Sequence, residues 1–229
     1  MNLVMLDIDG TLTMSYEYDR EIFGLAIAAV AGCPPFEADL YGFVDKTSLG
    51  VTQEALRRFT GREPTADEIS RVKRRVLRLF RNRYRESPQS FAAVPGAQVF
   101  LEHLRTLEGL GIAIATGCWR SEAMFKLNSS GLDVHGIPLA TSDGEKDRRR
   151  IMDQAAGRAR RFYACQEFGR IVYLGDGPWD VQASRSLGYA FIGIGPRLQE
   201  GGPLRVTAWH PDFLDLEAVL TSLRSALRS

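Results

Sequence analysis

Leu3-Val4-Met5-Leu6-Asp7-Ile8-Asp9-Gly10-Thr11-Leu12 is the stretch on which the fold of this chain turns. A short apolar run stops at two carboxylates separated by one residue, and a glycine follows at once. Such a run, bounded by a turn residue, is the pattern of a strand buried on both faces. Asp7 and Asp9 can face one site together only if the strand ends and the backbone turns there, which Gly10 permits. Two acids at close range can divide the chemistry, one as nucleophile and the other handling protons. Asp-x-Asp-Gly also opens calcium loops, but the twelfth position counted from Asp7 is Tyr18 rather than a glutamate, the turn glycine is misplaced, and a strand precedes the motif.

Working outward, apolar runs recur at Gly111 to Ala115, Ile137 to Ala140, Arg170 to Leu174 and Tyr189 to Ile194. Helical periodicity lies between and after them: Phe100, Leu101, Leu104 and Leu107 form one apolar face, Met124, Phe125 and Leu127 to Leu132 another, and Phe213 to Leu227 a last stripe. Strand, helix, strand repeated in this way predicts an α/β fold with a doubly wound parallel sheet. From about Ser15 to Ala92 only helical patterns appear, before Val94-Pro95-Gly96 marks the return to the sheet. The expected organisation is therefore a core of residues 1–14 and 93–229 with a helical insertion of residues 15–92. That insertion would stand over the carboxyl end of the first strand, where open α/β sheets bind ligands.

Three further signals sit at strand ends. Thr116-Gly117 could present a hydroxyl and backbone N–H groups to a phosphoryl oxygen. In Ser142-Asp143-Gly144-Glu145-Lys146-Asp147-Arg148, Lys146 or Arg148 could offset the repulsion between a nucleophilic carboxylate and a phosphoryl group. In Gly175-Asp176-Gly177-Pro178-Trp179-Asp180, two more acids would repel Asp7 unless a divalent cation sat among them. Asp176 is the natural ligand. Asp180 could reach the metal's water shell or serve as a first-turn acid favoured by the helix dipole.

Composition narrows the class. The 229 residues carry 29 Lys+Arg against 28 Asp+Glu, a net charge of +1 that gives no warrant for a nucleic-acid or membrane partner. The longest apolar run, Gly24 to Cys33, is about half the roughly 20 residues a membrane helix needs. Cys33, Cys118 and Cys165 are scattered and odd in number, which reads as free thiols in a cytoplasmic, reducing setting. His103, His135 and His210 show no zinc-site spacing, so any metal should be held by oxygen, which points to magnesium. The stretch Arg71 to Arg85 is basic throughout, with Val72, Val76 and Phe80 as its buried stripe. Its charges read as a solvated face or as an attraction for anions.

In this order, the four motifs resemble those of the haloacid dehalogenase-like hydrolase superfamily: Asp-x-Asp-Gly-Thr, a Ser/Thr after the second strand, a Lys/Arg, and Gly-Asp-x-x-x-Asp. The resemblance implies a Rossmann-like core with a type 1 helical cap. Asp45-Lys46-Thr47-Ser48 and Gln53-Glu54-Ala55-Leu56 look like cap segments of its phosphoglycolate phosphatase-like members. By that resemblance Asp7 attacks phosphorus, and Asp9 protonates the leaving oxygen and then activates water. The resemblance also implies magnesium held by the Asp7 carboxylate, the Asp9 carbonyl and Asp176, with Asp180 nearby. Thr116, Gly117 and Lys146 or Arg148 would hold phosphate; no proline follows Lys146 as in many relatives, and counting back from Ile151 favours Arg148. Dehalogenase relatives lack an acid at the Asp9 position and phosphonate-cleaving relatives carry a small residue there, so the implied substrate is a small phosphorylated metabolite. Lys46 would reach from the cap to the leaving group. A sugar-phosphate mutase or other phosphotransferase uses the same core, and an idle member could bind a polyanion through Arg71 to Arg85. Monomer and homodimer both remain open.

Overall fold

The structure, a computed structural model, describes residues 1–38, 42–200, 206 and 208–228. Strand β1 (Asn2–Leu6) shows why the opening run lacks alternation. Leu3 and Met5 pack on one side with Ile151, Met152, Tyr173 and Phe191. Val4 and Leu6 pack on the other with Phe100, Leu127, Leu174 and Leu220. With helices covering both faces, every position from Leu3 to Leu6 is apolar.

Among the described residues, five more strands join it in the sheet: β2 (Leu110–Ala115), β3 (Leu139–Ala140), β4 (Ile171–Gly175), β5 (Ala190–Ile194) and β6 (Ala208–His210). Their order is β3-β2-β1-β4-β5-β6, and every pairing is parallel. This is the doubly wound arrangement expected. Leu6 lies level with Ile114 on one side and Leu174 on the other, so the ends of β1, β2 and β4 open onto the same place. The strand order reverses between β1 and β4, which is where such sheets form their ligand crevice. Two differences from the sequence pattern have local causes. The Ile137 to Ala140 run yields only a two-residue strand: Pro138 has no N–H to add to the ladder, and its carbonyl accepts from Ile114 N at 2.8 Å. Strand β6 has no apolar run to announce it, because its three residues are only partly buried at the sheet edge.

Between β1 and β2 lie helices α1 (Asp19–Ala31), α2 (Ser48–Thr60), α3 (Ala66–Glu86) and α4 (Ala97–Thr106). The first three share an apolar cluster built from Ile22, Phe23, Val51, Leu56, Val72, Val76 and Phe80. Helix α3 starts five residues before the basic run. Thr65 and Glu68 close a capping box there, and Arg62 grips Glu68 with both guanidinium nitrogens. The basic charges are partly answered at close range: Arg71 pairs with Asp67 at 3.0 Å, Lys73 with Asp143, and Arg83 with Glu21 at 2.8 Å. The chain leaves and re-enters the sheet layer side by side, with Met14 N donating to the Ala92 carbonyl and Val94 N to the Leu12 carbonyl, each at 2.9 Å.

The remaining helices are α5 (Arg120–Ser130), α6 (Arg148–Phe162), α7 (Pro178–Ser186), α8 (Arg197–Glu200) and α9 (Leu216–Arg228). Among the described residues, no helix is long and apolar enough to cross a membrane.

Candidate active site

A cleft opens where the ends of β1, β2 and β4 meet helices α1 and α2. Asp7, Asp9, Thr116, Gly117, Arg148 and Lys46 all line it. Asp7 is the first residue beyond β1, and its N–H donates to the Leu174 carbonyl at 3.0 Å, fixing the point where the strand ends. The turn that follows needs Gly10, at φ 76°; a Cβ there would lie 1.8 Å from Asp176 Oδ2. Gly117 is confined less severely, since a Cβ would meet Arg148 Nη1 at 2.7 Å. The glycines let the backbone approach closely enough to bring separate loops to one point.

Arg148 is the cation nearest Asp7. Its Nη2 lies 2.6 Å from Asp7 Oδ2 and 2.6 Å from Asp180 Oδ1, and donates to the Tyr173 hydroxyl at 3.1 Å. That hydroxyl in turn donates to the Ala115 carbonyl at 2.9 Å. Lys146 points elsewhere: its ammonium pairs with Asp45 at 3.3 Å, and the side chain is 55% exposed. Its carbonyl accepts from Thr47 Oγ1 at 3.1 Å. Helix α6 begins at Arg148, so the helix axis aims this side chain inward while Lys146 stays in the preceding loop. Thr116 is buried, and its Oγ1 accepts from Cys118 N at 3.1 Å. Lys46 sits at the rim with its ammonium bonded to the Phe43 carbonyl.

Asp7, Asp176 and Asp180 offer carboxylate oxygens that all lie within 4.8 Å of one another. Asp180 is engaged by Arg148 through Oδ1 and by Gly177 N through Oδ2, the latter at 3.1 Å. Asp7 Oδ1 and Asp176 Oδ1 are buried and have no hydrogen-bond partner among the described residues. Orphaned anionic oxygens at this spacing, with no sulfur or imidazole among them, fit a hard divalent cation. Burial pushes the Asp7 carboxyl up to about 7, against the pull of Arg148 and with the push of Asp180. Asp176 is raised well above the ordinary range, also chiefly by burial, with Arg197 pulling the other way.

The Asp7 shift carries a prediction for metal-free protein. Folded Asp7 titrates near 7 and unfolded Asp7 near 3.8, so the folded state binds the extra proton between these values and loses stability as pH rises from about 4 to 7. Asp7→Asn removes the ionised form. Its melting temperature should exceed that of the wild type at pH 8, by an amount worth a few kcal/mol, with the advantage shrinking by pH 5. A constant difference across that range would show that Asp7 is not the group responsible.

Asp9 faces a different set of partners, none of which the sequence motifs announced. Lys126, with a side chain 0% exposed, places its ammonium 2.8 Å from Asp9 Oδ1, 3.0 Å from Asp19 Oδ1 and 2.9 Å from Glu122 Oε1. Ser15 Oγ and Cys118 Sγ also donate to Asp9, at 2.5 and 2.8 Å. Burial alone would raise Asp9, but the Lys126 charge and these hydrogen bonds outweigh it and hold the carboxyl below its usual range. Asp9, Cys118 and Glu122 form a second group close enough for a metal, yet the ammonium already supplies the cation there. The network extends to the helical insertion. Ser48 Oγ donates to Glu122 at 2.8 Å, Ser48 N to the Gly117 carbonyl at 2.8 Å, and the Lys126 ammonium lies 4.6 Å from the Phe80 ring centroid. Lys126 is one helical turn beyond Glu122 on α5, an i,i+4 acid–base pair. That spacing was a legible signal, although nothing in it revealed burial.

Residues 1–188 match the haloacid dehalogenase-like hydrolase family. No protein of curated function matches the chain. Among solved structures, a hydrolase from Pseudomonas syringae is 23% identical over 97% of this chain and 99% of its own, with a TM-score of 0.72. A predicted phosphoglycolate phosphatase from Haemophilus somnus is 19% identical over 96% and 98%, with a TM-score of 0.60. A β-phosphoglucomutase from Clostridium difficile is 13% identical over the full length of both chains, with a TM-score of 0.65. At these identities the likeness is one of fold.

Proposed function

Because the chain belongs to the haloacid dehalogenase-like hydrolase family, we propose that it is a magnesium-dependent phosphatase acting on a small phosphate monoester through an aspartyl-phosphate on Asp7. One observation carries this reading: Asp7 stands at the end of β1 beside Arg148, with Asp9, Thr116 and Gly117 on the walls of the same cleft. Residues 15–92 act as the cap over a core of residues 1–14 and 93–229. Magnesium, held by the Asp7 carboxylate, the Asp9 carbonyl and Asp176, supplies charge neutralisation when bound.

Asp7 attacks phosphorus in line as the ester oxygen leaves, and Arg148 compensates the charge that gathers between carboxylate and phosphoryl group. Thr116 and the backbone at Gly117 hold phosphoryl oxygens. Asp9 is ionised beside Lys126, so it is ready to take a proton from water when the acyl-phosphate is hydrolysed. For the first step it needs a proton, which a monoester monoanion brings with it. Three free thiols suit a cytoplasmic setting.

Metal-stripped protein should release no phosphate from p-nitrophenyl phosphate or a panel of phosphorylated metabolites, and magnesium should restore release. Failure on the whole panel with magnesium present would refute a phosphatase. The mutase reading shares the fold of the Clostridium difficile enzyme. Labelled oxygen from water should enter the released phosphate for a phosphatase, and should not where a second substrate hydroxyl accepts the phosphoryl group. Lys46 completes the proposal as the cap's contact with the leaving group. Lys46→Ala should raise KM about tenfold for the natural substrate and leave p-nitrophenyl phosphate turnover unchanged, since only the former spans the cleft.

A further inference from the structure

Arg197 puts a cation where the carboxylates call for one. It is the first residue of α8, reached from β5 through Gly195 at φ 83°. Its guanidinium binds Asp176 Oδ2 and donates from Nη2 to the Asp9 carbonyl at 3.2 Å. These are two of the three groups that the proposed function gives to magnesium. The side chain is only 15% exposed, with the Tyr16 ring centroid 4.3 Å and the Trp179 ring centroid 5.5 Å from its Cζ. Two aromatic faces and two charge-assisted or carbonyl hydrogen bonds make this a fitted slot for a guanidinium.

The electrostatics explain why a cation belongs there. Asp7, Asp176 and Asp180 are buried together, and Arg148 answers only Asp7 and Asp180. Without Arg197, Asp176 would be a buried carboxylate with no counter-charge, a costly state. A divalent cation bound to Asp176 and the Asp9 carbonyl would compete with the guanidinium for the same oxygens and repel it at close range. Among the described residues, the oxygens left without a partner are Asp7 Oδ1 and Asp176 Oδ1.

We propose that Arg197 is the resident counter-ion of the cation site and that magnesium binds by displacing it, so that the Tyr16–Arg197–Trp179 slot opens when the metal enters. This rests on the magnesium reading above. Because the metal-competent form is the one with Arg197 withdrawn, apparent metal affinity is lowered by the fraction of molecules in which the slot is closed.

The test is calorimetric titration of magnesium chloride into metal-stripped full-length protein, without substrate, for the wild type, Arg197→Ala and Arg197→Gln. Both variants should bind magnesium at least about tenfold more tightly than the wild type. Metal-free variants should melt at lower temperature, and magnesium should raise their melting temperature by more than it raises that of the wild type. Tryptophan emission should change on magnesium addition in the wild type and not in Trp179→Phe. Equal or weaker affinity in both variants overturns the displacement. If the wild type hydrolyses phosphate esters with magnesium, such a result removes this inference alone; if no protein in the series binds magnesium, the magnesium reading falls with it.

Discussion

Asp7→Asn protein should release phosphate at less than about a thousandth of the wild-type rate on any substrate the enzyme accepts, with its fold intact. The amide keeps the volume of the carboxylate but has no negative oxygen to attack phosphorus, so no aspartyl-phosphate can form. Arg148 retains Asp180 as its partner in the variant, at 2.8 Å through Nε, and stays in place. The loss should therefore appear in kcat, while circular dichroism and melting show a folded protein. The Asp7→Asn protein should also carry no covalent phosphate after quenching with acid, where the wild type does. Retention of more than a few per cent of the rate would place the nucleophile elsewhere.

Lys126→Met should produce the largest loss of stability, about 3–5 kcal/mol at pH 8, because it leaves Asp9, Asp19 and Glu122 buried around a missing charge. For a chain of this length that is a fall of roughly 10 °C in melting temperature. Burial holds Asp19 well above its usual range even with Lys126 beside it. Without the ammonium, Asp9 and Asp19 take up protons more readily in the folded state than in the unfolded one. The deficit should therefore shrink as pH falls and widen as it rises. Denaturant melts of wild type and variant at pH 5 and pH 8 would measure this. A pH-independent difference would mean that the cluster is held by packing against Phe80 and not by charge.

The two predictions mark the line between what could be read from residues and what could not. Local pattern determined the sheet. Buried parallel strands must be continuous apolar runs, and strands tipped with acids, a hydroxyl or a glycine mark the crevice, so β1, β2 and β4 and the loops after them are legible in the sequence. The same reasoning put Asp7, Thr116 and Asp176 at strand ends, because each follows an apolar run directly, and Arg148 and Asp180 in the first turn of the next helix. Short-range chemistry could not choose between Lys146 and Arg148 outright. The direction of a side chain depends on whether its residue lies in the helix or in the loop before it, and that boundary was known only to within a few residues. Nor could it find Lys126, Asp19 and Arg197. A lysine on a helix and an arginine after Gly195-Pro196 are ordinary surface residues in sequence, and what makes them part of the site is burial against partners as far apart as Asp9 and Arg197. Charge compensation among groups distant in the chain is a property of tertiary packing, since only the folded structure removes them from water and forces each to find its counter-ion.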